Sequence, residues 1–159
     1  MDNPRETAYL ELVKRQRDLI WRVCSDFSLS AAWEVEDAFQ EVLLTLWKDF
    51  GSYKGLSSER TWVYRVATNT MLMIKRRAIN QPQPQVELRE EATSDNDHVQ
   101  QLREIIDSLE ETDRCVVCAN LDGFSHKEIA QMTGLSSLAV ATRLNRIKHK
   151  IRQRYEQGF

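Results

Sequence analysis

Residues 125–151, SHKEIAQMTGLSSLAVATRLNRIKHKI, contain clear signals for the start and end of two successive helices. The stretch opens with the S-x-x-E form of a capping box, in which Ser125 and the glutamate three residues later each satisfy an exposed helix-end N–H group. The short helix that follows ends at Gly134, a residue that readily adopts the positive φ of a tight turn. Ser136 or Ser137 can cap the next helix. A capped helix, a glycine turn and a second helix are the outline of a helix-turn-helix.

The second helix of this pair has an apolar stripe and a cationic face. Val140, Leu144, Ile147 and Ile151 recur at helical spacing and are expected to face inward. The outward positions are Thr142, Arg143, Asn145, Arg146, Lys150 and Arg154. Cations near a helix C-terminus also complement the helix dipole, but residues 139–155 contain no carboxylate at all. This favours contact with DNA phosphates and base edges.

Helical periodicity also runs through the rest of the chain, with few glycines or prolines. Two prolines in Asn80-Gln81-Pro82-Gln83-Pro84-Gln85 stop any helix there, and an acidic stretch follows. We therefore predict an all-α protein made of two small helical bundle domains on a flexible linker. The first domain is predicted at residues 1–78, the acidic Pro-containing linker at 79–97, and the helix-turn-helix domain at 98–159.

Composition narrows the class of protein. The chain has 159 residues, 42% of them hydrophobic and 29% charged, which is typical of a globular protein. No apolar run approaches the length of a membrane span, so we expect a cytoplasmic protein without membrane insertion. The net charge is −2, but positive and negative residues are unevenly distributed along the chain. Residues 60–86, for example, carry five cations and no carboxylate. We find no nucleophile with a partner and no phosphate loop, and predict no enzymatic activity, catalytic residue, cofactor or small-molecule substrate.

The three cysteines allow two interpretations. Cys115 and Cys118 form a C-x-x-C, which is compatible with a zinc or thiol site. Zinc needs two further ligands, and His126 and His149 are not spaced as a recognisable pair. The segment also fits a buried helical turn, in which free cysteine packs as a small hydrophobe. We favour core packing and predict no metal site.

A polar patch is predicted on the second helix of the first domain. Asp37, Gln40 and Glu41 lie at i, i+3 and i+4 and therefore share one face, opposite a bulky apolar stripe. The patch could dock a basic protein groove or simply be the hydrated side of an amphipathic helix. The residues alone leave both interpretations open.

Three segments, in this order, resemble one family. The run EDAFQEVLLTLW at residues 36–47 is similar to the E-D-x-x-Q-E-x-x-x-x-x-W pattern of extracytoplasmic-function sigma factors of bacterial RNA polymerase. Residues 57–69, SSERTWVYRVATN, resemble that family's S-S-F-R-T-W-L-Y-R-I-A-R-N segment. Residues 123–130, GFSHKEIA, are similar to part of its promoter-reading C-terminal domain. The resemblance covers about residues 15–155 without the linker.

The resemblance implies roles for these residues and names the partners. Core RNA polymerase and promoter DNA are implied, with an anti-sigma factor as a further candidate. The positions matching the polymerase-docking motif are Asp37, Gln40 and Glu41. The positions on the side that captures the minus-ten strand are Arg60, Thr61, Trp62, Tyr64, Arg65, Thr68, Asn69, Lys75 and Arg76. The positions matching the helix-turn-helix that reads the minus-thirty-five duplex are Lys127, Ser137, Thr142, Arg143, Asn145, Arg146 and Lys150.

Some positions depart from the family or admit another interpretation. Glu59 stands where the family usually has phenylalanine, and Ala141 where it often has a cation. Trp62 and Tyr64 also suit core packing. The alternative function is a free-standing helix-turn-helix regulator that binds an operator without polymerase. Our interpretation requires that the docking patch be exposed and that Arg143 and Arg146 not turn inward against their own domain.

Overall fold

A computed structural model of the protein describes residues 3–28, 34–80 and 97–157. Within these ranges the chain forms seven α-helices and one 3₁₀ turn, and no strand. The chain divides into two compact units, Met1–Val86 (unit 1) and Glu87–Phe159 (unit 2). The predicted all-α class is confirmed.

Unit 1 is a bundle of three helices, each packed against the other two. Apolar side chains at helical spacing form its centre, with Ile20, Val42 and Val63 fully buried on the three helices in turn. The elements are α1 (Pro4–Ser28), α2 (Val35–Asp49), the 3₁₀ turn (Phe50–Ser52) and α3 (Glu59–Ile79).

The N-terminus of α3 is fixed by a cap and by an ion pair to α1. Ser58 is the N-cap, and its Oγ accepts a hydrogen bond from the Thr61 backbone N–H at 3.1 Å. Glu59 Oε1 and Oε2 accept bonds from Arg15 Nε (3.0 Å) and Nη2 (2.8 Å), and Gln16 Nε2 adds a third at 3.0 Å. Hydrogen bonds from the Arg15 guanidinium hold the pKa of Glu59 below its usual value. The glutamate that departs from the family pattern therefore ties α3 to α1.

Unit 2 contains four helices, of which the last three pack against one another. Its core includes Ile105, Val116, Phe124, Ile129 and Leu144, all buried. The elements are α4 (Asp97–Asp107), α5 (Glu111–Leu121), α6 (His126–Thr133) and α7 (Ser137–Glu156).

The helix-turn-helix forms as its sequence predicts. Both halves of the capping box are present, with the Glu128 N–H donating to Ser125 Oγ at 3.1 Å and the Ser125 N–H donating to Glu128 Oε1 at 3.0 Å. Gly134 ends α6 with φ of 75° and its N–H bonds to the carbonyl of Ala130. Ser136 is the N-cap of α7. The capping box, the glycine turn and a serine cap are confirmed.

The cysteines of the C-x-x-C lie within α5, are half-buried and form no disulfide. Burial raises the pKa of the Cys115 thiol to about 11, and that of the buried Cys24 to about 12. Both thiols are therefore protonated at neutral pH, which makes them poor nucleophiles and poor metal ligands.

The predicted linker lies mostly outside the described residues, which omit 81–96. At its two edges, α3 continues to Ile79 and α4 starts at Asp97, each within the predicted linker range.

Among the described residues, we find no helix with the length and apolar character of a bilayer span.

Candidate functional site

The polar patch on α2 lies at the surface of unit 1. Asp37 and Gln40 are exposed and Glu41 is half-buried, while Ala38, Val42 and Leu46 on the opposite face are fully buried. The i, i+3, i+4 spacing therefore produces the shared face that the sequence predicts. We call Asp37, Gln40 and Glu41 the α2 patch.

Sequence reasoning missed one member of this face. Leu44 follows at i+7 from Asp37 and is 58% exposed, although its neighbours in the chain belong to an apolar run. Leu44 therefore adds one exposed apolar side chain to a face that is otherwise polar. The signal was present in the sequence, since Leu44 lies out of phase with the buried stripe.

The nine residues predicted on the minus-ten side divide by burial along α3. Arg65, Asn69 and Arg76 are exposed, and Arg60, Trp62 and Lys75 are half-buried. The other three predicted residues, Thr61, Tyr64 and Thr68, are buried in unit 1.

The burial of Thr61, Tyr64 and Thr68 does not agree with the predicted DNA contact of their side chains. Tyr64 is only 2% exposed and is one of the largest core side chains. Thr61 Oγ1 accepts a hydrogen bond from Ser58 Oγ at 2.8 Å and belongs to the helix cap. The physical reason is that α3 packs against both α1 and α2, so that its buried surface is wide.

A cleft of about 480 Å³ lies between α3 and the loop before it. Tyr53 and Trp62 line it with their rings 5.0 Å apart between centroids, at an interplanar angle of 33°. Tyr53 is held by its hydroxyl, which donates to the Ser57 carbonyl at 2.8 Å. Arg65 and Asn69 add polar groups from α3. An aromatic wall beside a cation and an amide suits an unstacked base and its phosphate.

The residues predicted to bind DNA in unit 2 lie on one helix-turn-helix. Thr142, Asn145 and Lys150 are exposed on α7, Ser137 is exposed at its first turn, and Lys127 is exposed on α6. The opposite face of α7 buries Val140, Leu144 and Ile147. This agrees with the predicted inward stripe for those three positions, whereas Ile151 is half-buried.

Two arginines of α7 contact a carboxylate that the sequence analysis did not single out. Arg143 Nη1 donates to Asp113 Oδ1 at 2.8 Å, and Arg146 Nη2 donates to Asp113 Oδ1 and Oδ2 at 3.1 and 3.0 Å. Asp113 lies in the first turn of α5 and is 2% exposed. No sequence signal identifies this contact, since the partners are 30 and 33 residues apart.

The requirement that Arg143 and Arg146 not turn inward is met only in part. The Arg146 side chain remains 53% exposed, and that of Arg143 28% exposed. Each guanidinium carries five N–H donors, so one that bonds to Asp113 retains donors for a second partner. Arg143 and Arg146 are thus bonded to Asp113 on one side and still have exposed N–H donors on the other.

Comparison with known protein families gives two matches. The family model described as Sigma-70 region 2 matches residues 12–79, and the model described as Sigma-70, region 4 matches residues 99–151. The two matches follow the same order as the two units and include both the α2 patch and the helix-turn-helix.

A curated relative matches over a shorter segment. The ECF RNA polymerase sigma factor SigG of Mycobacterium tuberculosis, from strains CDC 1551 / Oshkosh and ATCC 25618 / H37Rv, is 51% identical over 39 residues. That segment is 24% of this chain and 10% of the relative's length. The match therefore spans a small part of the curated relative.

Two solved structures share the fold. CnrH, solved in complex with the cytosolic domain of CnrY, aligns with a TM-score of 0.70 at 19% identity, covering 97% of this chain and 91% of the other. The sigma factor RpoE from Bartonella quintana, solved with the anti-sigma factor NepR, aligns with a TM-score of 0.66 at 16% identity, covering 92% and 98%. At these identities the likeness concerns the fold.

Proposed function

Because the chain belongs to the extracytoplasmic-function sigma factors of the sigma-70 family, we propose that it directs bacterial core RNA polymerase to promoter DNA for transcription initiation. The observation that carries this proposal is the order of a region 2 match on unit 1 and a region 4 match on unit 2. A free-standing helix-turn-helix regulator accounts for unit 2 but gives no reason for the region 2 match, and is not favoured.

The α2 patch is the proposed contact with core polymerase. Its two carboxylates and one amide are presented by a helix whose other side is locked into the core of unit 1. A rigid acidic surface attracts a basic partner surface and aligns it before contact. Leu44 adds an apolar group that would be desolvated on docking.

The cleft beside α3 is the proposed site for opened minus-ten DNA. Arg65 and Asn69 line it, and the tilted Tyr53–Trp62 pair offers aromatic ring faces on which a base can stack. The further proposed contacts on α3 are Arg60, Lys75 and Arg76, which can track the backbone. Thr61, Tyr64 and Thr68 support this site from the core.

The helix-turn-helix of unit 2 is the proposed reader of the minus-thirty-five duplex. Thr142 and Asn145 stand on the exposed face of α7, where a helix in the major groove presents side chains to base edges. The proposed phosphate and base contacts around them are Lys127, Ser137, Arg143, Arg146 and Lys150. We propose that residues 79–97 tether the two domains, so that one bound contact raises the effective concentration of the next.

Regulation and location follow from the same proposal. The two solved structures are complexes, CnrH with the cytosolic domain of CnrY and RpoE with the anti-sigma factor NepR. We propose an anti-sigma factor as a partner of this chain as well, and a cytoplasmic location beside the polymerase. A role without catalysis of its own stays a prediction.

Binding to core polymerase tests the proposal. The purified chain should co-elute with core polymerase, and Asp37→Arg should weaken that complex at least about tenfold, because reversing a charge places like charges in contact. Asp18→Arg is the matched control, since Asp18 is an exposed carboxylate on α1. Failure of the unmodified chain to bind core polymerase would refute the proposal, and equal effects of both variants would refute the assignment of the α2 patch.

A further inference from the structure

The carboxylate of Asp113 is the buried partner of two arginines on the DNA-facing helix. It accepts three hydrogen bonds, at 2.8, 3.0 and 3.1 Å, from Arg143 and Arg146. These donors lie one turn apart on α7, while Asp113 belongs to α5. Neither family pattern nor charge sorting assigns a role to this residue.

The bonds occupy only part of each guanidinium. They use Nη1 of Arg143 and Nη2 of Arg146, and each arginine has N–H groups on two further nitrogens. A planar guanidinium held at one edge presents its other donors in a defined direction. An arginine that is fixed in this way loses less side-chain entropy when it bonds a base than one that must be ordered from solution.

Asp113 also resists release of the two arginines. Its side chain is 3% exposed, so departure of both cations towards DNA would leave a buried carboxylate without compensation. The arrangement of lowest free energy in a DNA complex therefore keeps Asp113 bonded to both arginines, while their remaining N–H groups donate to the duplex. The arginines then bond to Asp113 and to DNA at the same time.

We propose that Asp113 is a specificity-determining positioning residue, which holds Arg143 and Arg146 in the orientation that reads the minus-thirty-five duplex. This inference rests on the proposed function of α7. Asp113 itself contacts no DNA and acts through the two arginines. Its side chain also neutralises one positive charge next to the DNA-facing surface, which lowers binding to DNA of any sequence.

A purely structural role of Asp113 predicts a different effect of its substitution. If the ion pair only fastened α5 to α7, its loss would lower the stability of unit 2 and leave sequence preference unchanged in the fraction that remains folded. The proposal instead predicts a change in preference itself. Sequence preference and salt dependence are therefore the readouts that separate the two roles.

The experiment uses holoenzyme reconstituted with core polymerase and a promoter library randomised over the minus-thirty-five element. Bound DNA is sequenced for the unmodified chain, for Asp113→Asn and for Glu110→Gln. Glu110 is the matched control, because it is an exposed carboxylate one turn before Asp113 and its substitution removes the same charge. Both variants should bind DNA of any sequence somewhat more tightly, with a salt dependence steeper by up to about one phosphate contact.

The variants should differ in selectivity. Asp113→Asn should lower the enrichment of the preferred sequence over random sequence by roughly tenfold, within the range that one oriented arginine–base contact provides. Glu110→Gln should retain the enrichment of the unmodified chain. Enrichment by Asp113→Asn equal to that of Glu110→Gln would overturn the inference, while the proposed function would stand. No enriched sequence for the unmodified chain would instead overturn the proposed reading of the minus-thirty-five element, and the inference with it.

A second measurement covers the case in which Asp113→Asn does not fold. In the unmodified full chain, NMR of ¹⁵N-labelled arginine side chains reports rotation about the Nε–Cζ bond, with signals assigned from Arg143→Lys and Arg146→Lys. Restricted rotation of both guanidinium groups, in the free protein and bound to the selected duplex, is the expected result. Free rotation in either state would overturn the inference.

Discussion

The two helices that we propose to contact DNA, α3 in unit 1 and α7 in unit 2, are buried very differently. Both helices pack against at least two others, but α3 buries nine of its residues, whereas α7 buries three that form a single stripe. On α3 the surface left for the proposed DNA contact is therefore narrow, and core residues alternate with proposed contact residues. On α7 the outward face is broad, but two of its arginines are shared with the protein through Asp113. Similar charge on two helices thus indicates a similar partner but not a similar site.

The largest expected change in stability comes from substituting Tyr64, a core residue of α3. Tyr64→Ala should destabilise unit 1 by about 3–5 kcal/mol, because it removes a large aromatic side chain from the core. Tryptophan fluorescence during denaturation measures this selectively, since all four tryptophans of the chain lie between residues 21 and 62. The neighbouring Arg65→Ala, on the exposed side, should stay within about 0.5 kcal/mol. Equal effects of the two substitutions would contradict the assignment of faces on α3.

A smaller effect is expected from the arginine pair of α7. Arg143→Ala combined with Arg146→Ala should destabilise unit 2 by about 2–3 kcal/mol, because a buried carboxylate loses its cations but solvent already reaches part of the pair. Hydrogen exchange across α5 and α7 measures it. The control is Lys148→Ala with Arg152→Ala, two exposed cations on the same helix.

A third substitution tests whether the loss of stability comes from the charge of Asp113. Adding Asp113→Leu to the double variant should restore much of the lost stability, since an apolar side chain then replaces the uncompensated charge. If the double variant were as stable as its control, Asp113 would not depend on the two arginines.

The folding stability of unit 1 should also depend on pH through Glu59. The pKa of Glu59 is lowered from its ordinary value of 4.5 by the bonds from Arg15, so ionised Glu59 stabilises the folded state above that pH. The stabilisation is lost as the pH falls through the lowered pKa of the folded state. The advantage of the unmodified chain over Glu59→Gln should therefore be present at pH 7 and shrink below about pH 4.5, by tryptophan fluorescence. An advantage that is constant from pH 7 to pH 3 would exclude this ion pair as its source.

The smallest expected effect concerns Thr68. Its Oγ1 is buried with no hydrogen-bond partner among the described residues, so Thr68→Val keeps the shape and removes an unsatisfied group. Stability should change by less than about 1 kcal/mol, and transcription from a promoter should be unchanged. A large loss of transcription with unchanged stability would return Thr68 to the DNA-contacting set.

The sequence predicts local features of this molecule better than long-range ones. The capping box at Ser125, the turn at Gly134 and the exposed Asp37 face follow from residues a few positions apart, whose physics is local. The burial of Tyr64 and the partner of Arg143 depend on which helices pack together, and periodicity alone does not specify that. An aromatic residue beside arginines fits a nucleic-acid site and a core equally well until the second neighbouring helix is known.

We propose that this chain selects where core RNA polymerase starts transcription. Sequencing of transcript 5′ ends tests this proposal, with a promoter library transcribed by core polymerase together with the chain, with its Thr142→Ala/Asn145→Ala variant, or alone. We predict starts that share upstream elements at the minus-ten and minus-thirty-five distances, with the minus-thirty-five element weakened in the variant. Start sites indistinguishable from those of core polymerase alone would contradict the claim.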